Sequence, residues 1–528
     1  MNLSSVHLLD LPNEMLFNIL KKLENVDVLY SFFGINNERL EKIIEDEFFF
    51  NSLNIALITE NSTIIDSILD RFCDYIFPRI YFNVKCFIVE PEFMERILLA
   101  TPYPNLTELK LFNFQRDSSL HYFTDNSSLE HILKEQITKL DLIHKDDGYE
   151  IMLSKVYTKT VYAHILTYCE KLEHLNVTAS SNFVYPSLSI RYLPSNTFSS
   201  STLTYLCINV QTFTDFVCLL DGRLKQLCTL IVQFYQMDTD SSVVHNLDNL
   251  PNLKCFSLIH YGLIEEYDNK IVSHLRRMIN LEKLTLYLRL VFERIFIDPI
   301  HLINEFSMHM SRLHSFKFYL STKNNRNDLV RYLSNNDIKQ NYVNIGYQEV
   351  SNIVQFVANT ATYHIFTLPF QFPQLIYIGN IFPNILFTHV IDLCVHDEFS
   401  FEHEFFLRIS KAFSKLKSFC VMNCRPLSYD VEKLSDNTIQ SYEIVEYPHL
   451  TFLDISWANG YYVEQFLNET KTHLPRLSKL RVRYEELRII TKDFTREITR
   501  RNCANVTRLI IERTIVGSKD YYIYFPLL

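Results

Sequence analysis

From about residue 80 onward, apolar side chains recur in one spacing: an apolar residue, a second three positions on, and a third two positions later. The closing two-residue step is the period of a strand with one buried face. The spacing occurs at Leu106-Leu109-Leu111, Leu253-Phe256-Leu258, Leu450-Leu453-Ile455 and Leu477-Leu480-Val482, each entered through a proline phrase. That phrase, an apolar residue, Pro, any residue, then Leu or Ile, has six copies, at Tyr103–Leu106, Leu250–Leu253, Phe372–Leu375, Phe382–Ile385, Tyr447–Leu450 and Leu474–Leu477. Proline stops a helix and biases the residue before it toward extended backbone, so the phrase predicts a helix-to-strand corner.

The same spacing without proline begins at Leu172, Leu203, Leu227, Leu281, Leu313, Leu416 and Val506. Helical stripes precede several copies: Val161, Ile165, Leu166 and Cys169; Ile271, Val272, Leu275 and Met278; Leu302, Ile303, Phe306 and Met310. The first positions at 172, 203, 227, 253, 281 and 313 are 31, 24, 26, 28 and 32 residues apart. Intervals of this size mark a repeat array of helix, short loop and strand. Residues 320 to 360, rich in Asn and poorly patterned, are expected to hold an irregular repeat or a loop.

The first fifty residues carry a different period. After Pro12 and Glu14, which suit a first helical turn, Leu16, Ile19, Leu20 and Leu23 fall on one helical face. Asn25 is placed to cap a helix bearing Val28, Leu29, Phe32 and Phe33, and Asn36 one bearing Leu40, Ile43, Ile44 and Phe48. Three short amphipathic helices cannot bury all that surface among themselves, so part of it should meet a partner or the next segment. Residues 51–80, with Ile55, Leu57, Ile58, Ile64, Ile65, Ile68 and Leu69 at helical spacing, predict a rigid helical junction. The expected domains are therefore 1–50, 51–80 and 81–528.

Composition narrows the function more than the fold. Hydrophobic residues make up 47% and charged residues 21% of the 528, as in globular chains. A net charge of −10 offers no global attraction to nucleic acid or anionic membrane, and no apolar run is long enough to span a bilayer. With 11 scattered cysteines and no signal-like start, the expectation is a chain with reduced thiols in the cytoplasm or nucleus. Only 8 glycines leave phosphate-cradling loops and strained nucleophile turns little to be built from.

Two clusters could carry chemistry. Cys420 and Cys424 with His389, His396 and His403 suggest a metal site, but a predicted strand is a poor source of four close ligands. Asp141, His144, Asp146 and Asp147 could do acid–base work, yet no nucleophile or phosphate loop accompanies them. The expectation is no catalytic residue, no metal and no cofactor, and no cysteine acting as a nucleophile.

At Leu11, Pro12, Glu14, Ile19, Leu20, Leu23, Asp27 and Leu29 the chain resembles the F-box family, with Ile35 standing where that family has Val. The family's Trp is missing, since Trp457 is the only one. The array behind it resembles leucine-rich repeats in degenerate form: the Asn or Cys usual three residues after the strand is mostly absent, Cys424 excepted. The implied fold is α/β, a three-helix F-box-like unit followed by a leucine-rich-repeat-like solenoid with irregular repeats. The resemblance implies a substrate receptor of a cullin-type ubiquitin ligase. Leu11, Pro12, Ile19, Leu20, Leu23, Leu29 and Ile35 would hold a Skp-type adaptor, and through it a cullin, while the array holds a target protein. The alternative is a repeat scaffold whose first helices only cap the solenoid.

Strand alternation adds a candidate target site. Residues flanking Leu480 and Val482 point outward, namely Lys479, Arg481 and Arg483, and Arg508 of the next repeat should stand beside them. Such a row suits acidic or phosphorylated partners, unless Glu485, Glu486 and Glu512 neutralise it.

Overall fold

The computed structural model of the chain describes residues 8–35, 37–56, 65–144, 154–179, 186–238, 250–265, 271–291, 308–325, 349–423, 443–512 and 519–528. It is a mixed α/β protein rich in parallel sheet, divided into two compact units: Met1–His260 with Arg276–Lys283, and Tyr261–Leu275 with Leu284–Leu528. Among the described residues no helix is long and apolar enough to cross a membrane.

The first unit opens with four short helices, α1 (Asn13–Leu20), α2 (Asn25–Phe32), α3 (Glu38–Ile44) and α4 (Glu47–Phe50). Pro12 occupies the N-cap of α1 rather than its first turn. Asn25 lies inside α2 and caps nothing; its amide instead donates to Phe48 O and Ser52 O, both at 3.0 Å, tying α2 to α4 and to the strand that follows it. Asn36 lies outside the described residues, and the neighbouring Asn37 caps α3 by accepting from Leu40 N at 3.1 Å. Strand β1 (Ser52–Asn54) follows at once, so the junction begins as sheet and only then becomes helical, with α5 (Ile65–Arg71). Leu57, Ile58 and Ile64 fall outside the described residues.

Seven further strands complete the first unit's sheet: β2 (Cys86–Val89), β3 (Glu108–Phe114), β4 (Lys139–His144), β5 (His174–Ala179), β6 (Tyr205–Thr212), β7 (Thr229–Gln236) and β8 (Cys255–Ile264, as far as His260). They pair parallel and in sequence order. The second apolar position of each copy of the spacing lines up across the whole sheet: Leu53, Phe87, Leu109, Leu140, Leu175, Leu206, Leu230 and Phe256 are register partners in turn. All eight are buried. Alternation puts them on one face, and removing any of them to Ala leaves a cavity worth about 2–5 kcal/mol.

The second unit holds β9 (Lys283–Val291), β10 (Ser315–Asn325) and an antiparallel hairpin, β11 (Val350–Val357) with β12 (Thr360–Thr367). Strand β12 pairs antiparallel to β10, so the described part of the irregular stretch 320–360 is sheet that breaks the parallel repeat; 326–348 lie outside the described residues. A six-stranded sheet then runs through β13 (Gln374–Ile378), β14 (Asp392–His396), β15 (Ser418–Asn423), β17 (Phe452–Ala458), β19 (Lys479–Arg481) and β20 (Arg508–Ile510), parallel throughout. Its ladder is Leu375, Leu393, Phe419, Leu453, Leu480 and Leu509. Two-residue strands β16 (Val445–Glu446) and β18 (Thr472–His473) pair behind it. The proline phrase at Phe382 leads into no strand, and the stripe residues Leu302, Ile303 and Phe306 lie outside the described residues.

Helices fill the connections where the pattern has room for them. Among them are α6 (Pro91–Leu98), α7 (Ala163–Tyr168), α8 (Phe213–Leu219), α9 (His403–Ala412), α10 (Gly460–Leu467) and α11 (Tyr484–Ile490). The stripe before Leu281 yields only a three-residue helix, Ser273–Leu275, although Ile271, Val272, Leu275 and Met278 are all buried.

Backbone groups at the strand entrances are satisfied by a device that recurs in both units. Two consecutive N–H groups converge on one carbonyl of the preceding repeat: Thr138 and Lys139 on Thr107 O, Glu173 and His174 on Thr138 O, Cys228 and Thr229 on Thr204 O, Thr451 and Phe452 on Lys417 O. The residue before the first apolar position adds a side chain to these corners. Asn105 donates to Phe82 O (2.7 Å), Asn252 to Lys225 O (3.1 Å), Asn280 to Pro251 O (3.1 Å) and Asn505 to Pro475 O (2.9 Å). These bonds lie where the strand begins and do part of what an Asn after the strand would otherwise do.

Candidate functional site

The apolar stripe of α1 divides in two. Leu16 and Leu20 are buried in the unit, whereas Ile19 is 40% exposed, Leu23 47% and Met15 51%. A helix packed on one side and apolar on the other presents a second sticky face. Leu11 is half-buried, Pro12 and Ile35 are exposed, and Leu29 lies fully inside with Leu20. Of the seven residues expected from the sequence to meet an adaptor, Leu11, Pro12, Ile19, Leu23 and Ile35 are therefore accessible, while Leu20 and Leu29 are buried within the unit and present no surface to a partner. Among the described residues, eight of the 25 exposed large apolar side chains fall within residues 8–48: Leu8, Leu9, Met15, Ile19, Leu23, Tyr30, Ile35 and Phe48. That segment is under a tenth of the chain, so its share is several times what even scatter would give.

This surface is held rigidly. Arg39 on α3 donates to Leu9 O (2.6 Å), to Leu11 O and to Asn13 Oδ1 (2.7 Å), clamping the extended Leu-Pro segment in front of α1. On the other side Tyr30 stacks on Phe72 at 6.1 Å, Arg71 donates to Phe33 O (3.1 Å), and Arg79 lies 3.6 Å over Tyr75. Gly34 has φ +77°, and a Cβ there would collide with Tyr75 Oη. A cavity of about 470 Å³ opens beside it, lined by Phe33, Glu41, Glu45, Phe50, Arg79 and Asn83 among others. Nothing in the first helices' sequence signalled the Arg39 clamp, whose partners lie 26 to 30 residues away.

The basic row on the second unit is less uniform than its spacing suggested. Lys479 and Arg481 lie on β19, and Arg508 is the register partner of Lys479 on β20. Arg483 lies beyond the strand, at the N-cap of α11, where it donates to Ala458 O (2.9 Å) and pairs with Glu486 (3.1 Å). Arg481 pairs with Asp454 at 3.1 Å, a residue 27 positions earlier, while Glu485 pairs with Arg488. Lys479 Nζ stands 4.7 Å over the Phe452 ring, and Arg508 is exposed. Three cations thus share one outward face, with Arg481 partly neutralised by Asp454.

Among the described residues, the members of the clusters weighed for chemistry are not gathered into one site. Asp141 is turned outward and lies 3.5 Å from Lys110 and 3.7 Å from His174, whereas His144 is buried on the other face of β4. Burial holds the His144 imidazole down at about 4, so it stays neutral. Asp146, Asp147 and Cys424 lie outside the described residues, and Cys420 stands beside Cys394 of β14. Among the described residues no three His, Cys, Asp or Glu side chains gather as metal ligands. Burial pushes the thiols of Cys73 and Cys86 up to about 11 and those of Cys169, Cys207 and Cys218 to about 12, so they remain protonated. No family model matches the chain, and no curated protein matches its sequence.

Proposed function

We propose that this chain is a substrate-recognition subunit of a cullin-type ubiquitin ligase. In this reading residues 8–48 act as an F-box-like unit that binds a Skp-type adaptor through Leu11, Pro12, Ile19, Leu23 and Ile35. The strand array acts as a leucine-rich-repeat-like solenoid that holds the target. The observation that carries the reading is the concentration of exposed apolar side chains on a segment whose backbone is clamped by Arg39. A patch of that kind marks an interaction surface, and a rigid backing keeps the bound partner at a fixed place. The chain's contribution to ubiquitin transfer is proximity: it converts a bimolecular encounter into a near-intramolecular one, and the chemistry belongs to other subunits.

A scaffold whose first helices only cap the array has one observation in its favour, the immediate passage from α4 into the sheet at β1. A cap needs a polar outer face, however, and the outer face of α1 carries Met15 and Ile19.

The two readings separate in a pull-down of recombinant Skp-type adaptor by the full chain. The Ile19→Asp, Leu23→Asp variant places charges on accessible positions, so it should fold normally and lose adaptor binding by about 2 kcal/mol or more, some thirtyfold. Leu20→Asp, by contrast, buries a charge in the unit and should unfold it. Capture by the Ile19, Leu23 variant at the parent's level would rule out the adaptor reading.

A further inference from the structure

We infer that the outward face of β17, β19 and β20 docks an extended acidic segment of a protein partner, gripped by Lys479, Arg481 and Arg508 with Phe452 as apolar floor. The inference rests on the target-binding half of the proposed function and draws nothing from the adaptor half.

Three features point to this occupant. Lys479 and Arg508 are register partners on adjacent parallel strands, so the two basic residues leave the sheet side by side from backbones one strand spacing, about 5 Å, apart. Like charges facing each other repel, and a carboxylate lying between them turns that repulsion into attraction. Along β19, Lys479 and Arg481 are two residues apart, about 7 Å, which is also the separation of alternate side chains in an extended peptide. Acidic residues at every second position therefore meet the Lys479–Arg508 pair and Arg481 in turn. Finally, Lys479 Nζ lies 4.7 Å and the Arg481 guanidinium 5.9 Å from the same Phe452 ring, so both heads are held in place before a partner arrives.

The occupant is a row of carboxylates rather than one phosphate because the basic residues are set at three separate positions, Lys479 and Arg481 two residues apart on β19 and Arg508 on β20. Asp454, which shares Arg481, sets the limit of the strip on the β17 side. The overall charge of −10 makes the strip a local exception, so an acidic segment is attracted there and repelled by the rest of the chain.

The test uses the full chain and a fluorescein-labelled peptide alternating Glu and Thr, read by anisotropy and by the fluorescence of Trp457, the single tryptophan, which lies on β17. The alternating peptide should bind about tenfold or more tightly than a peptide of the same composition with its Glu residues in one block, and binding should weaken with salt. Lys479→Glu with Arg508→Glu should lower affinity by about tenfold or more, as should the milder Lys479→Gln with Arg508→Gln, while Lys479→Arg retains it. Equal binding of the two peptides, or parent-like binding by a folded double variant, overturns the inference. So does tighter binding of a phosphoserine peptide or of a single-stranded oligonucleotide. A chain that captures adaptor but shows no preference for the alternating peptide loses this inference alone. One that prefers the peptide but captures no adaptor loses the adaptor reading alone.

Discussion

Replacing Arg39 with alanine removes every tie that its guanidinium makes to the segment in front of α1. The lost bonds are those to Leu9 O, Leu11 O and Asn13 Oδ1, all from a half-buried side chain. A charge-assisted bond fully shielded from water contributes about 1.5–3 kcal/mol, but here water can replace part of each, so the three together should be worth about 1–2 kcal/mol. The effect should be local, since Leu16 and Leu20 still anchor α1 in the unit. Hydrogen exchange offers the assay. The amides of Leu11, which donates to Leu8 O, and of Met15 and Leu16, which donate to Pro12 O, should exchange about 5- to 30-fold faster. Amides of β3 and β6 should be unchanged. Arg39→Lys keeps the charge without the planar fork and should fall between. Unchanged exchange across residues 9–16, or an equal loss throughout the sheet, would refute the clamp.

Two further outcomes follow from a buried histidine and from a glycine with positive φ. His144 is neutral when folded, with a folded value near 4 against an ordinary 6.5, so its contribution is fully present above pH 6.5 and is lost as pH falls toward 4. The loss is on the order of 3 kcal/mol by pH 4, and denaturant titrations of His144→Gln should show a shallower acid decline than the parent. Gly34→Ala should destabilise by about 1–2 kcal/mol from the positive φ alone, with more from the collision at Tyr75. Adding Tyr75→Leu should recover the steric part and leave the backbone part, as measured by shifts in the urea midpoint.

What the sequence revealed of this molecule, and what it hid, follows from the range of the interactions involved. The strands at Leu106, Leu172, Leu203, Leu227 and Leu477 were legible because strand alternation is written in adjacent residues. Strands β2, β4 and β14 carry the same spacing, at Val84-Phe87-Val89, Ile137-Leu140-Leu142 and Val390-Leu393-Val395, so their signal was present in the sequence as fully as that of the copy at Val506. The stripe of α1 was visible, while its division into an inner face with Leu20 and an outer one with Ile19 depends on where α3 packs. The pairing of Arg481 with Asp454 was invisible, because it needs the register of two strands whose residues lie 27 positions apart. The corner asparagines had a signal after all: each directly precedes the first apolar residue of its strand, as Asn280 does Leu281.

The paired N–H groups at each strand entrance act as a reading frame. Each engages the preceding repeat through two consecutive residues and one carbonyl, as Thr138 and Lys139 do on Thr107, and neither donor consults the chain that lies between. Length can therefore be gained or lost between one entrance and the next without moving the strands against each other. Removing Lys139 or Leu140, however, turns every later side chain of that strand to the opposite face and puts the Asp141 carboxylate where Leu140 belongs. In this architecture the segments between strands are the places where insertions can accumulate, and the five residues after each corner are the ones that cannot slip.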